Sequence, residues 1–247
     1  FIPHIEWTGP FLTSLLAILG TTISPYLFFW QASQEVEEEK LSPTAKPLKW
    51  APWQASKAFQ RIRADTLVGM ALSNLIGIAI IFTTAATLHK AGVTDISSST
   101  DAAKALEPIA GKFAFVVFSA GIIGTGLLAV PVLAGSAAFA VGEAFHWPVG
   151  LARKPKEAAA FYATLAVAAA LGTGIMFTPI DPIKALYWSA VINGICAVPV
   201  MVVMMLMANR ADIMGNFPVR GWLRLLGWLS TIAMGLSAAG LAVQWML

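Results

Sequence analysis

The sequence contains one cysteine, Cys196, and of its thirteen acidic residues only Glu143 falls inside a long hydrophobic run, near one end of it. The single thiol excludes a disulfide framework and any cysteine-built zinc or iron–sulfur site within the chain. The acid-poor runs exclude a site for a bare hard cation made from this chain's carboxylates alone, because such ions want carboxylate oxygens. They also lack the intramembrane titratable group on which proton coupling usually rests. His4, His89 and His146 stand at the ends of the runs, where interfacial or capping roles suit them better than ligation. No nucleophile–base set and no metal-ligand spacing is present, so neither an enzyme nor a bound cofactor is expected. No basic segment precedes the first hydrophobic run, which argues against a signal peptide. The chain opens on Phe1 rather than methionine and reads as a fragment or a processed product.

What remains is apolar. Hydrophobic residues make up 57% of the chain, charged residues 12%, and the mean hydropathy is +0.73. A soluble domain carries about 25% charged and about 45–50% apolar residues, and could not hide this much apolar surface from water. A bilayer removes the conflict, and a crossing needs about 20 largely apolar residues. Six segments qualify, at about 11–30, 66–88, 113–145, 158–177, 183–207 and 222–247. Backbone groups in lipid must be satisfied internally, so each is expected to be helical. The expected fold class is an all-α polytopic membrane protein, with residues 1–247 as one transmembrane unit. The third segment exceeds a simple crossing, so it is expected to tilt or to leave the hydrocarbon at one end.

Basic residues set the expected orientation. Twelve of the sixteen lysines and arginines follow the first, third and fifth segments; Lys90, Lys104, Lys112 and Lys184 lie on the other side. Positive charge favours the cytoplasm, so the N-terminus is expected outside, with the first segment running inward. The connection after that segment starts with Glu35, Glu37, Glu38 and Glu39, read as a solvated helix end. It continues through Pro43, Pro47 and Pro52 to a basic helical approach, Lys57 to Arg63. Residues 101–109 read as a short helix capped by Ser99 or Thr100.

The most informative stretch is Gly20-Thr21-Thr22-Ile23-Ser24-Pro25-Tyr26, in the middle of the first hydrophobic segment. Pro25 cannot donate to the carbonyl four residues back, and its ring disfavours helical geometry at Ser24. Gly20 and the β-branched Thr21 and Thr22 weaken the helix further. Two readings fit: a discontinuous helix that offers carbonyls and hydroxyls to an ion, or a proline kink with its hydroxyls bonded back. Asn74 and Asn193 are the mid-segment amides, and their default role is a hydrogen bond to a neighbouring helix. Gly121, Gly124, Gly126, Gly135 and Ser136 provide small faces for close helix contact.

Three stretches resemble the NRAMP family of divalent-metal transporters. Gly20–Leu27 is similar to that family's broken sixth helix, Ala134–Phe145 to the inner end of its eighth, and Asn209–Phe217 to the loop before its eleventh. The resemblance implies that the chain spans the sixth to eleventh helices, the second inverted repeat of a LeuT-type fold plus one extra helix. It implies transport of a divalent cation by alternating access. The family's sixth-helix motif, Ala-x-x-Met-Pro-His, falls on Thr21, Ser24, Pro25 and Tyr26. The resemblance thus puts Thr21 and Ser24 at the metal, with Asn193 near the tenth-helix amide. Tyr26 and Gln31 stand where the family has histidines of the metal or proton pathway. Ser24 replaces a soft thioether with a hard hydroxyl, which tolerates ions such as Mg²⁺ or Mn²⁺. The carboxylate ligand belongs to a first helix in the missing N-terminal half. Expected partners are the bilayer, the cation and that half, with no nucleic acid, in a bacterial inner membrane. Rival readings are an amino-acid or other organic-solute symporter of the same fold, and a membrane subunit without transport of its own.

Overall fold

The computed structural model describes residues 8–89, 92, 99–104, 107 and 111–246, and among them every regular element is helical. Helix α1 covers Gly9–Thr22 and α2 Pro25–Leu41; α3 covers Ala55–Thr84 and continues as a wider turn over Ala85–His89. The short α4 is Ser99–Lys104, followed by α5 (Ala114–Ala144), α6 (Ala159–Ile175), α7 (Pro182–Ala208), α8 (Ala211–Met214) and α9 (Trp222–Met246). Among the described residues five helices can cross a membrane by length and composition, counting α1 and α2 as one, and α6 is a shorter apolar helix of 17 residues. The protein is thus an all-α polytopic membrane protein.

The bounds carry physical information. The first hydrophobic segment is two helices, because Ile23 is extended (φ −110°, ψ 90°) just before Pro25. The basic approach Lys57–Arg63 is continuous with α3, whose start is marked by a turn at Pro52–Gln54. Helix α5 has 31 residues, about 45 Å at 1.5 Å each, longer than the roughly 30 Å hydrocarbon core. It closes through Trp147 N–H to Gly142 O (2.7 Å), with His146 left-handed at φ 57°. That is a helix-end motif in which the residue past the cap turns left-handed. His146 therefore ends α5 through its backbone. Ser99 and Thr100 lie inside α4 rather than capping it, since the helix already starts at Ser99. Residues 105, 106, 108 and 109 of the expected 101–109 helix lie outside the described residues, as does His4, and so does the side chain of His89.

Two compact units divide the chain. One holds α1 with the first turn of α2, Lys46–Pro52 and the chain from Leu186 onward. Its core is Leu16, Ala17, Val191, Ala197, Met201, Met234 and Leu241, with Leu19, Ala190, Val198 and Ala238 against it. Leu12, Leu16 and Gly20 recur every four residues and so share one face of α1, while α7 supplies Val191, Gly194, Ala197 and Met201 at helical spacing. The other unit holds the rest of α2 through Ala45, and Trp53–Ala185. Its core is Ala138, Phe139, Ala158 and Phe161, with Trp30, Val149, Tyr162 and Leu165 packed on it. Edge-to-face rings link Trp30 to Phe139 (6.1 Å), Phe139 to Phe161 (4.9 Å) and Phe161 to Tyr162 (5.4 Å). Gly135 makes room for the Trp30 ring, since a Cβ there would lie 2.5 Å from it. Gly121, Gly124 and Gly126 have nothing within 4 Å of a Cβ, so their small faces meet no other helix among the described residues. Asn74 is likewise exposed on α3.

Candidate functional site at the helix break

The break between α1 and α2 sits where α1 crosses α7. Gly20 and Gly194 make the crossing close: a Cβ on Gly20 would lie 2.7 Å from Gly194 N, and one on Gly194 would lie 2.9 Å from Leu16 O. No side chain fits at either position without moving backbone. Without a hydrophobic drive between helices in lipid, small residues that let backbones approach are what hold such pairs. Higher on the same pair, Ser14 Oγ and Tyr187 Oη are hydrogen-bonded at 3.2 Å.

This crossing delivers Asn193 to the break. Its Nδ2 donates to Gly20 O at 3.3 Å. Ser24 Oγ donates to the same carbonyl and to Thr21 O, both at 3.2 Å. The sharing follows from Pro25, which has no N–H to give Thr21 O, its normal partner in a continuous helix. Ile23 N–H still reaches Leu19 O at 2.7 Å, and helix resumes with Leu27 N–H to Ser24 O at 3.0 Å. Thr21 Oγ1 and Thr22 Oγ1 both donate to Ile18 O, at 2.8 and 2.9 Å. The helix does break at Ile23, and all three hydroxyls bond back to α1.

The structure brings Gly20, Thr21, Ser24 and Asn193 together. Ser24 is buried and Asn193 half-buried, whereas Thr21 and Thr22 are exposed. Tyr26 is half-buried on the first turn of α2, and Gln31, farther along α2, is exposed. The set is oxygen-rich and uncharged. Its carbonyls and hydroxyls can solvate a cation, but they cannot balance its charge. Among the described residues no group of three or more His, Cys, Asp or Glu side chains is placed to hold a metal ion. Sequence reasoning treated Gly20 only as a weak point in a helix and passed over Gly194. The four-residue recurrence of Leu12, Leu16 and Gly20, and the position of Gly194 beside Asn193, were the available signals.

The acidic run on α2 behaves differently from its reading as a solvated end. Arg61 bridges Glu35 (2.6 Å) and Glu38. Glu37 accepts the backbone N–H groups of Leu151 (3.1 Å) and Ala152. Three of the four glutamates therefore have protein partners, all distant in sequence. Ser33 Oγ also donates to Glu143 Oε1, at 3.4 Å.

The loop after α7 is a compact turn. Val219 N–H bonds Ala208 O at 2.8 Å, Asn209 Nδ2 bonds Met205 O at 2.5 Å, and Lys49 Nζ bonds Asp212 O at 2.6 Å. Arg210 makes two hydrogen bonds to the Asp212 carboxylate, at 3.0 and 2.6 Å. These bonds hold the Asp212 carboxyl below the usual carboxylate range and raise Arg210.

A family model described as "Natural resistance-associated macrophage protein-like" matches residues 1–244. Similar curated proteins include three named "Divalent metal cation transporter MntH". That of Pectobacterium carotovorum subsp. carotovorum (strain PC1) is 22% identical, over 87% of this chain and 47% of the relative. That of Klebsiella pneumoniae (strain 342) is 24% identical, over 86% and 46%. That of Nostoc sp. (strain PCC 7120 / SAG 25.82 / UTEX 2576) is 27% identical, over 90% and 48%. The chain spans about half the length of the curated relatives it matches.

Proposed function

The chain belongs to the Nramp family, and from that premise we propose that it is part of a secondary transporter that moves a divalent metal cation across a membrane by alternating access. The observation that carries the reading is the break at Ile23, where the carbonyls of Gly20 and Thr21 are served by Ser24 and Asn193 rather than by helix amides. Discontinuous helices with freed backbone oxygens are how many membrane transporters coordinate ions. A cation entering here takes over carbonyls that now accept weak side-chain bonds, so it displaces little. Thr21, Ser24 and Asn193 line the cation's position, and Tyr26 and Gln31 flank its path. The substrate needs no bound cofactor. The negative charge that offsets the ion comes from outside these six hydrophobic segments, which correspond on this reading to one half of a LeuT-type fold in a bacterial inner membrane. The N-terminal end of the chain lies outside.

Ser24 shapes ion preference. A hydroxyl suits harder ions such as Mg²⁺ and Mn²⁺, where a thioether would favour softer ones. Uptake of Mn²⁺ and Mg²⁺ by the full-length protein in proteoliposomes tests the proposal, with Cd²⁺ as the soft competitor. Saturable uptake of a divalent cation that Ser24→Met shifts toward Cd²⁺ is the expected outcome. Uptake of an amino acid without any cation flux would favour the organic-solute reading instead. Failure to move either solute, together with specific co-purification of a partner, would favour a non-transporting subunit.

A further inference from the structure

From the acidic end of α2 we infer that Glu37 is a positioning residue, which fastens the latter part of α2 to the α5–α6 loop so that residues 29–41 move as one body with α5 and α6. The inference rests on the transport reading for its functional consequence, and on the geometry alone for the fastening.

The loop is gripped from both sides. Glu37 takes the N–H groups of Leu151 and Ala152 on its two carboxylate oxygens. Tyr162, from α6, donates its hydroxyl to the carbonyls of Leu151 and Arg153, each at 3.0 Å. The backbone that would otherwise need water is thus satisfied by one acidic and one phenolic side chain from two helices. Gly150 makes the approach possible. Its φ of 137° is one that side chains rarely adopt, and a Cβ there would lie 3.2 Å from Glu37 Oε1. Bonds from backbone N–H to an ionised carboxylate are roughly twice as strong as neutral ones. A cavity of about 250 Å³ opens beside the contact, lined by Val36, Leu41, Phe139 and Val149 as well as by Ser33 and Glu143.

Deeper along α2 the fastening is continued by Trp30, seated on Gly135 of α5 and edge-on to Phe139. Trp30 and Glu37 are seven residues apart, two turns on the same face of α2. With α2 held at both points, the stretch from Trp30 to Glu37 stays with α5 and α6, and bending of the broken helix falls before Trp30.

The test uses the full-length protein with Cys196→Ser and spin labels on Leu41→Cys and Lys156→Cys, which report the distance from the end of α2 to the α5–α6 loop. One narrow distance distribution is expected with Glu37 present. Glu37→Ala broadens it. Glu37→Gln, which replaces one of the two accepting oxygens by an NH₂ donor, gives an intermediate width and guards against misfolding of the alanine variant. In proteoliposomes, Mn²⁺ uptake by Glu37→Ala is expected to lose about tenfold in maximal rate with KM nearly unchanged, since the residues at the break are untouched. An unchanged distance distribution in Glu37→Ala overturns the inference. So does a rise in KM with an unaltered maximal rate, which would place Glu37 at the cation instead. If the full-length protein carries neither Mn²⁺ nor Mg²⁺, the transport proposal fails while the distances still decide the role of Glu37.

Discussion

The two ends of α2 solve the same problem with opposite chemistry. At the break, carbonyls that have lost helix donors are met by neutral donors, the Ser24 hydroxyl and the Asn193 amide. At the far end of α2, backbone N–H groups of the 150–153 loop are met by the charged Glu37. The difference follows from solvent. A charge within a hydrophobic segment is costly, whereas one at a helix end near water is cheap and its bonds are stronger. Weak neutral bonds can be exchanged for an ion; strong charged ones hold a loop in place. Under the two proposals, binding belongs to the first region and bracing to the second.

The largest expected loss comes from the crossing itself. Gly20→Ala drives a Cβ into the backbone of Gly194, and overpacking of this kind costs about 1–3 kcal/mol. Thermal unfolding of the detergent-solubilised protein checks it, with Gly121→Ala as the control. Gly121 has open space around it, so its substitution should change stability by less than about 0.5 kcal/mol. Equal losses at both positions would remove the glycine crossing from the account. A second, smaller effect is expected at the break. Ser24→Ala and Asn193→Ala each remove interhelical or back-bonded hydrogen bonds worth about 0.6 kcal/mol in membranes, so both variants should stay folded.

The bracing region yields two smaller effects. Arg61→Ala removes a guanidinium shared by Glu35 and Glu38, and such exposed pairs are worth roughly 0–1 kcal/mol. The loss should fade in high salt, where the Debye length falls to about 3 Å. A loss that is independent of salt would mean that Arg61 acts through packing. The smallest effect concerns Asp212. Its carboxyl is held below its ordinary value by hydrogen bonds from Arg210. A depressed carboxyl adds stability above its unfolded value, near pH 4, and loses it as pH falls through the folded value. Asp212→Asn should flatten that acid-side slope in an unfolding series, and an unchanged slope would assign it to other carboxylates.

Legibility in the sequence followed the range of each interaction. The break at Ile23 was readable because Pro25 and the residue before it act locally. The hydrophobic segments were readable because crossing a bilayer needs a run of fixed length. Helix α6 ended sooner than its hydrophobic run, with turns over Met176–Thr178 just before Pro179. The partners of Glu35, Glu37 and Glu38 were not readable. They lie 23 to 115 residues away, and a run of glutamates looks the same whether solvated or paired. Asn193 stood out as an intramembrane amide, yet that it reaches Gly20 depends on Gly194, whose role appears only when α1 and α7 are set side by side.

One measurement tests most directly whether the break handles a cation: initial rates of Mn²⁺ uptake by the full-length protein in proteoliposomes, for Ser24→Ala and Asn193→Ala beside the unmodified protein. Both variants are expected to be folded and to lose about tenfold or more in uptake at low Mn²⁺, the worth of 1.4 kcal/mol of lost binding. Unchanged uptake in both would contradict the account and leave the break as a structural kink.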